Sequence, residues 1–178
     1  MKKAVIKCAV KDIGELRRRM KEISLEFLEP VFQHDRVYRP RNYQPSQNFP
    51  RLIMRTEVRG MEKPARYFLT LKRHILDSGV DMVNQIEVSN YLETTSLIRP
   101  LGFAEPVEVS RRRQMLMISE QTTLYLDQLD ELPGYYFKIE TAVGEEKVGN
   151  VFRELRETLG VFGLAEEDIV SVPYFELV

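Results

Sequence analysis

Lys3-Ala4-Val5-Ile6-Lys7-Cys8-Ala9-Val10 is the stretch whose reading decides the fold. Side chains two apart on a strand share a face. Lys3 and Lys7 therefore lie on one side of this run, and Cys8 on the other. The same pattern recurs downstream. Arg51 and Arg55 frame a second run, and Tyr67-Phe68-Leu69-Thr70-Leu71-Lys72 ends on a cation. Arg111 and Arg113 stand two apart, and Glu87, Asp127 and the pair Lys138 and Glu140 extend the series. Repeated over several strands, this puts many charges on one surface of a sheet. If the sheet curls on itself, that surface becomes a charged lumen, which suits a polyanion.

The overall composition gives no such signal. There are 26 basic and 27 acidic residues, for a net charge of −1. That balance argues against general electrostatic attraction to nucleic acid or to a membrane surface. Anion binding must then come from local arrangement. Hydrophobic content of 43% and charged content of 30% are ordinary for a globular protein. Length predicts one domain spanning residues 1–178. The single cysteine, Cys8, forbids an internal disulfide and fits a reducing compartment. The start of the chain goes straight into a strand-like run, without the apolar stretch of a signal peptide. No segment approaches the ~18 apolar residues of a membrane span. A soluble cytoplasmic protein is the expectation.

Outward from the first run, Asp12 is placed to cap a helix, with Glu15 three residues on. Ile13, Leu16, Met20, Ile23 and Phe27 recur at helical spacing, and Arg17, Arg18, Arg19, Lys21 and Glu22 read as its solvated face. Strands are predicted near Val31–Tyr38, Arg51–Val58, Arg66–Arg73 and Met82–Val88. Between them lie a polar, proline-punctuated loop, a short loop over Arg59–Pro64, and a turn centred on Asp77-Ser78-Gly79. Thr94 or Thr95 is predicted to cap a short helix that stops at Gly102. Strands follow at about Pro106–Gln114, Met115–Ile118, Thr122–Leu126 and, after a Pro133-Gly134 turn, Tyr135–Thr141. A long helix is expected from about Glu145 to Leu159 with Gly160 after its end, then a brief one at Glu166–Ile169. Seven or eight strands with three or four helices suggest α+β with a largely antiparallel sheet.

The order of these pieces resembles the CYTH family, the triphosphate tunnel enzymes, over nearly the whole chain. The likeness runs through Lys3-Ala4-Val5-Ile6-Lys7 with Asp12, then Gln33, Asp35 and Tyr38, then Arg55 and the intact Thr70-Leu71-Lys72. It continues through Glu87, Arg111-Arg112-Arg113, Leu126-Asp127 with Gly134, Lys138-Ile139-Glu140 and the closing Ser171–Leu177. The resemblance implies an eight-stranded antiparallel β-tunnel, a closed barrel with helices packed outside. It implies a triphosphate held by Lys7, Arg55, Lys72, Arg111 and Arg113, since Arg matches phosphate oxygens bidentately. It implies Mg²⁺ or Mn²⁺ held by carboxylates, for which Glu87, Asp127 and Glu140 are the matching positions.

The chain departs from the family where that metal should sit. Lys3 and Val5 replace the two glutamates of the first strand, and Gln85 and Lys138 replace others. Lys and Val do not ligate Mg²⁺. Lys3 and Lys138 are therefore candidate replacement cations. Size and the closing segment are nearest to class IV adenylyl cyclases, which convert ATP to cyclic AMP and pyrophosphate. The alternatives are a non-catalytic nucleotide or polyphosphate binder, and a hydrolase of thiamine triphosphate or tripolyphosphate. No residue is assigned a catalytic role. The partner implied is a nucleotide or another organic or inorganic triphosphate, and a homodimer is left open. The remaining polar candidates read as structural: isolated His34 and His74, Cys8 as a packing residue, Asp35 and Tyr38 in a turn or packing role (the alternative being contact with a ligand at the tunnel mouth), and Tyr135, Tyr136 and Phe137 packing against a helix.

Overall fold

A computed structural model describes residues 1–44, 49–60, 62–75, 79–144 and 148–178. Among them are eight strands: β1 (Lys2–Val10), β2 (Val31–Tyr38), β3 (Arg51–Val58), β4 (Arg66–Ile75), β5 (Val80–Val88), β6 (Val107–Met117), β7 (Thr122–Leu129) and β8 (Tyr135–Ala142). All neighbours are antiparallel. The ring order β1-β5-β4-β3-β2-β6-β7-β8 closes where β8 pairs with β1, from Lys3↔Ala142 to Val10↔Tyr135. The expected closed antiparallel barrel is therefore formed, with its shortest ladder between β1 and β5, from Lys2↔Met82 to Ala4↔Val80. The helices α1 (Ile13–Glu22), α2 (Tyr91–Ile98) and α3 (Val148–Val161) lie outside it. Two 3₁₀ turns, Glu166–Asp168 and Tyr174–Glu176, finish the chain.

The alternation in each strand divides two environments. On β1, Ala4, Ile6 and Cys8 face outward into the main core. They pack with Leu124 and Leu126 of β7, Phe137 and Ile139 of β8, and the apolar stripes of α1 (Leu16, Met20) and α3 (Val151, Leu155, Leu159). A smaller core outside the opposite wall joins Tyr38, Met54 and Ile98, the last from α2. Thus the hydrophobic core sits between barrel and helices, and most of the lumen is left to polar side chains. At one place the lumen is apolar: Val37, Val109 and Leu129 pack there with Phe175 from the last 3₁₀ turn.

Several boundaries differ from expectation, each for a local reason. α1 begins as expected, with the Asp12 carboxylate accepting from the Glu15 N–H at 3.0 Å. It ends at Glu22, because the chain turns through left-handed Ser24 (φ 58°). Phe27 reaches the core from the following loop, against Phe137. α2 is capped by Asn90, which accepts from Glu93 N–H at 3.1 Å. Thr94 and Thr95 lie inside the helix, donating back to Asn90 O and Tyr91 O. The two strands expected over 106–118 are one continuous β6, because β7 pairs with it through Met117↔Thr123. β4 and β5 extend their ladder to Ile75↔Val80, which sets His74 opposite Asp81. Of the predicted Asp77-Ser78-Gly79 turn only Gly79 lies in the described residues, and the expected helix start at Glu145 lies outside them. α3 runs through Gly160, and the left-handed glycine that follows it is Gly163 (φ 73°).

Candidate functional site

Barrel closure turns the charged face of each strand inward. A cavity of about 670 Å³ results, and Lys7, Arg51, Arg55, Lys72, Arg111, Arg113 and Lys138 all line it. These cations come from β1, β3, β4, β6 and β8, so only the closed ring brings them together. All five residues expected to hold a triphosphate line this cavity. Arg51 joins them; the charge pattern marks it, although the family comparison matches only Arg55 on that strand. Lys3 stands beside the cavity on Glu140, to which Lys138 also donates, at 2.9 Å.

Cations crowded into a lumen need counter-charge, and inward carboxylates supply it. Asp35 accepts from Arg55 (Nε to Oδ1 2.7 Å) and from Arg111 (to Oδ2 2.6 Å). Arg111 also donates to Gln33, whose amide donates to Glu57 at 2.8 Å. Asp127, fully buried, takes both Arg113 N–H groups at 2.6 Å and the Tyr174 hydroxyl at 2.9 Å. Asp81 pairs with Lys72 at 2.7 Å and His74 at 3.2 Å. Glu140 takes Lys3 and Lys138. Asp35, read from sequence as a turn or mouth residue, is thus the central partner of two site arginines. The sequence does not single out Asp81 and Glu57, and it marks Tyr174 only as part of the closing Ser171–Leu177 segment. Their roles depend on strand register.

The protonation states follow from this packing. Burial disfavours the charge on Asp35, but Arg111 and Arg55 outweigh it and hold the carboxyl well below the usual range. Burial likewise opposes Asp127, yet Arg113 brings it down to about 2. Glu140 is held low against burial by Lys138 and Lys3. For Lys138 and Lys7 burial prevails and favours the neutral form. Burial, reinforced by Arg113 and Lys72, pushes Lys138 down to about 7 despite Glu140. Burial and Lys72 push Lys7 down to about 8. Lys7 has no carboxylate within salt-bridge distance among the described residues; it donates to the Val172 carbonyl and sits 4.2 Å from the Tyr174 ring. Arg51 likewise lies over the Phe175 ring, 5.1 Å from its centroid. The lumen therefore holds cations whose charge is incompletely compensated.

The three expected metal positions are not a coordination set. Glu87 keeps the inward register opposite Phe68, but its exposed carboxylate is bound bidentately by Arg66 at 2.7 and 2.9 Å. Asp127 and Glu140 are engaged by Arg113 with Tyr174 and by Lys3 with Lys138. Among the described residues no group of three His, Cys, Asp or Glu side chains converges as metal ligands would. Mg²⁺ wants several free oxygen donors in near-octahedral array, and each of these three carboxylates already faces a cation. The residues present do not fit the metal. Of the other polar candidates, His74, expected to be isolated, lines the cavity beside Asp81, and two lie apart. His34 contacts Ser110 Oγ at 2.9 Å outside the lumen, and Cys8 is buried in the outer core.

The comparisons with known proteins agree with this architecture. The CYTH domain family model matches residues 1–174. Among solved structures, the PH1819 protein of Pyrococcus horikoshii OT3 is 23% identical with a TM-score of 0.81, covering 98% of this chain and 97% of that one. A candidate adenylate cyclase from Vibrio parahaemolyticus is 18% identical with a TM-score of 0.79, covering 98% and 96%. HpAC1 from Hippeastrum, described as a candidate adenylyl cyclase with a dominant triphosphatase activity, is 16% identical with a TM-score of 0.59, covering 99% and 94%. At these identities the likeness concerns the fold. The comparison with curated proteins finds no match. No helix among the described residues is long and apolar enough to cross a membrane.

Proposed function

A chain matched by the CYTH domain model over residues 1–174 belongs to that family, and on that premise we propose that residues 1–178 act as one domain that binds a linear triphosphate inside the barrel. The observation that carries this reading is the convergence of seven cationic side chains from five strands on one 670 Å³ cavity, with Lys7 and Arg51 lacking a carboxylate within salt-bridge distance among the described residues. A triphosphate carries several negative charges near neutral pH. Arg55, Arg111 and Arg113 offer planar donor pairs to its oxygens, and Lys7, Lys72 and Lys138 add point charges. The low-dielectric barrel strengthens each contact. Binding is the part of the family's chemistry that this lumen supports. Turnover, as a class IV adenylyl cyclase or as a triphosphatase, has less support, because Asp127, Glu140 and Glu87 are all engaged by cations.

Calorimetric titration with tripolyphosphate, ATP and thiamine triphosphate tests the reading, with cyclic AMP and released phosphate followed separately. A ligand present at one hundred times its Kd adds about 2.7 kcal/mol of stability. That corresponds to a Tm gain of roughly 5–11 °C at this chain length. Arg51→Met, which removes a lumen cation without stranding a carboxylate, should weaken binding at least tenfold with the fold unchanged. No heat and no Tm shift with any triphosphate would overturn the proposal. Release of cyclic AMP or phosphate would make the protein an enzyme.

A further inference from the structure

We infer that the cavity takes its triphosphate as the metal-free polyanion, with the Lys138 and Lys3 ammonium groups supplying the positive charge next to Glu140. This rests on the triphosphate reading above and specifies the form of the ligand. Lys138 lines the cavity. Its Nζ donates to Glu140 at 2.9 Å and lies 4.2 Å from the centroid of the Tyr125 ring. It is directly paired in register with Lys7 across the β1–β8 ladder, so two ammonium groups arise side by side from adjoining strands. Lys3 holds the other oxygen of the same carboxylate. An ammonium has three donors. One N–H of Lys138 serves Glu140, and the others remain for phosphate oxygens.

A divalent cation entering here would meet a fixed arrangement of like charges. To reach Glu140 it must displace two ammonium groups; to reach Asp127 it must displace a bidentate guanidinium and a tyrosine hydroxyl. A phosphate needs no such exchange, because the donors already face the lumen. A Mg²⁺–triphosphate complex would bring its positive charge to a site built for negative charge. Mg²⁺ in solution should therefore compete with the protein for the anion.

Calorimetry on the intact chain with tripolyphosphate, once in EDTA and once in excess MgCl₂, tests this. The expected result is binding in EDTA that weakens several-fold in MgCl₂. Lys138→Met should lose at least tenfold in affinity in EDTA while retaining the far-UV circular dichroism of the parent. Mn²⁺ alone, followed by electron paramagnetic resonance, should stay free at submillimolar concentrations of protein. Binding that requires Mg²⁺, or Mn²⁺ captured by the protein alone, would overturn the inference and leave the triphosphate reading standing. No binding in either buffer would overturn both.

Discussion

Replacing Asp127 with Asn leaves the shape of the lumen intact and strands a buried cation. Asp127 is fully buried, and the Arg113 side chain retains only 8% exposure. Both guanidinium bonds are 2.6 Å, and the Tyr174 hydroxyl donates a third hydrogen bond to the same carboxylate. The amide keeps one acceptor oxygen but turns an NH₂ toward a guanidinium and removes the counter-charge. Stranding one partner of a buried ion pair costs about 3–5 kcal/mol. A chain of this size has about 5–15 kcal/mol of total stability and loses roughly 2–4 °C of Tm per kcal/mol. Asp127→Asn should thus unfold about 6–20 °C earlier, and its urea midpoint should fall with the m-value unchanged. The double variant Asp127→Asn/Arg113→Met removes the stranded charge and should recover half or more of the loss. Urea unfolding followed by circular dichroism measures both variants. A single variant within about 1 kcal/mol of the parent would mean that Arg113 is solvated rather than paired. A double variant as weak as the single one would show that the stranded cation is not the cause.

Lys138 faces Glu140, Arg113, Asp127, Lys72 and the Tyr125 ring, and with Lys7 it loses its proton near pH 7–8 in the free protein. Triphosphate affinity, measured by calorimetry, should therefore fall as pH rises from about 7 to 9, and a flat profile would contradict the site. Both folded values lie below the ordinary lysine value of 10.5, so the unfolded chain holds more protons in between, and this contribution to ligand-free stability should rise with pH over that window. Gly79 has φ 66°, and a Cβ there would lie 2.7 Å from Phe152 Cζ. Gly79→Ala should cost about 1–3 kcal/mol in urea unfolding, partly recovered by Phe152→Leu; no loss would refute the close approach. Cys8 is buried and burial pushes its thiol up to about 11, so Ellman's reagent should react only after unfolding, and rapid labelling of the folded chain would refute that placement.

The strands and the inward cations were legible in the sequence because one side of each strand faces a polar lumen and the other an apolar core. Lys3, Val5 and Lys7 alternate with Ala4, Ile6 and Cys8 for that reason. The ends of elements were less legible. Ser24 turns the chain while the apolar period still runs to Phe27, and Asn90 precedes two threonines that look like equally good caps. The counter-charges were hardest to read. Asp35 draws Arg55 from β3 and Arg111 from β6, a convergence set by strand order and register. Asp81 lies one residue before the predicted strand start, and Tyr174 comes from a tail whose spacing says nothing about the barrel wall it meets.

Closure of the ring also sets a schedule for biosynthesis. Lys3 meets Glu140 across 137 residues of chain, and β1 otherwise pairs with only three residues of β5. At roughly 5–20 residues per second, translation separates the two sides of that seam by about 7–30 s. During that interval the first strand made waits for the last, its apolar face uncovered and its backbone donors unpaired. The lumen-facing charges of that strand, Lys3 and Lys7, are the feature that opposes aggregation of a β-prone segment in that interval.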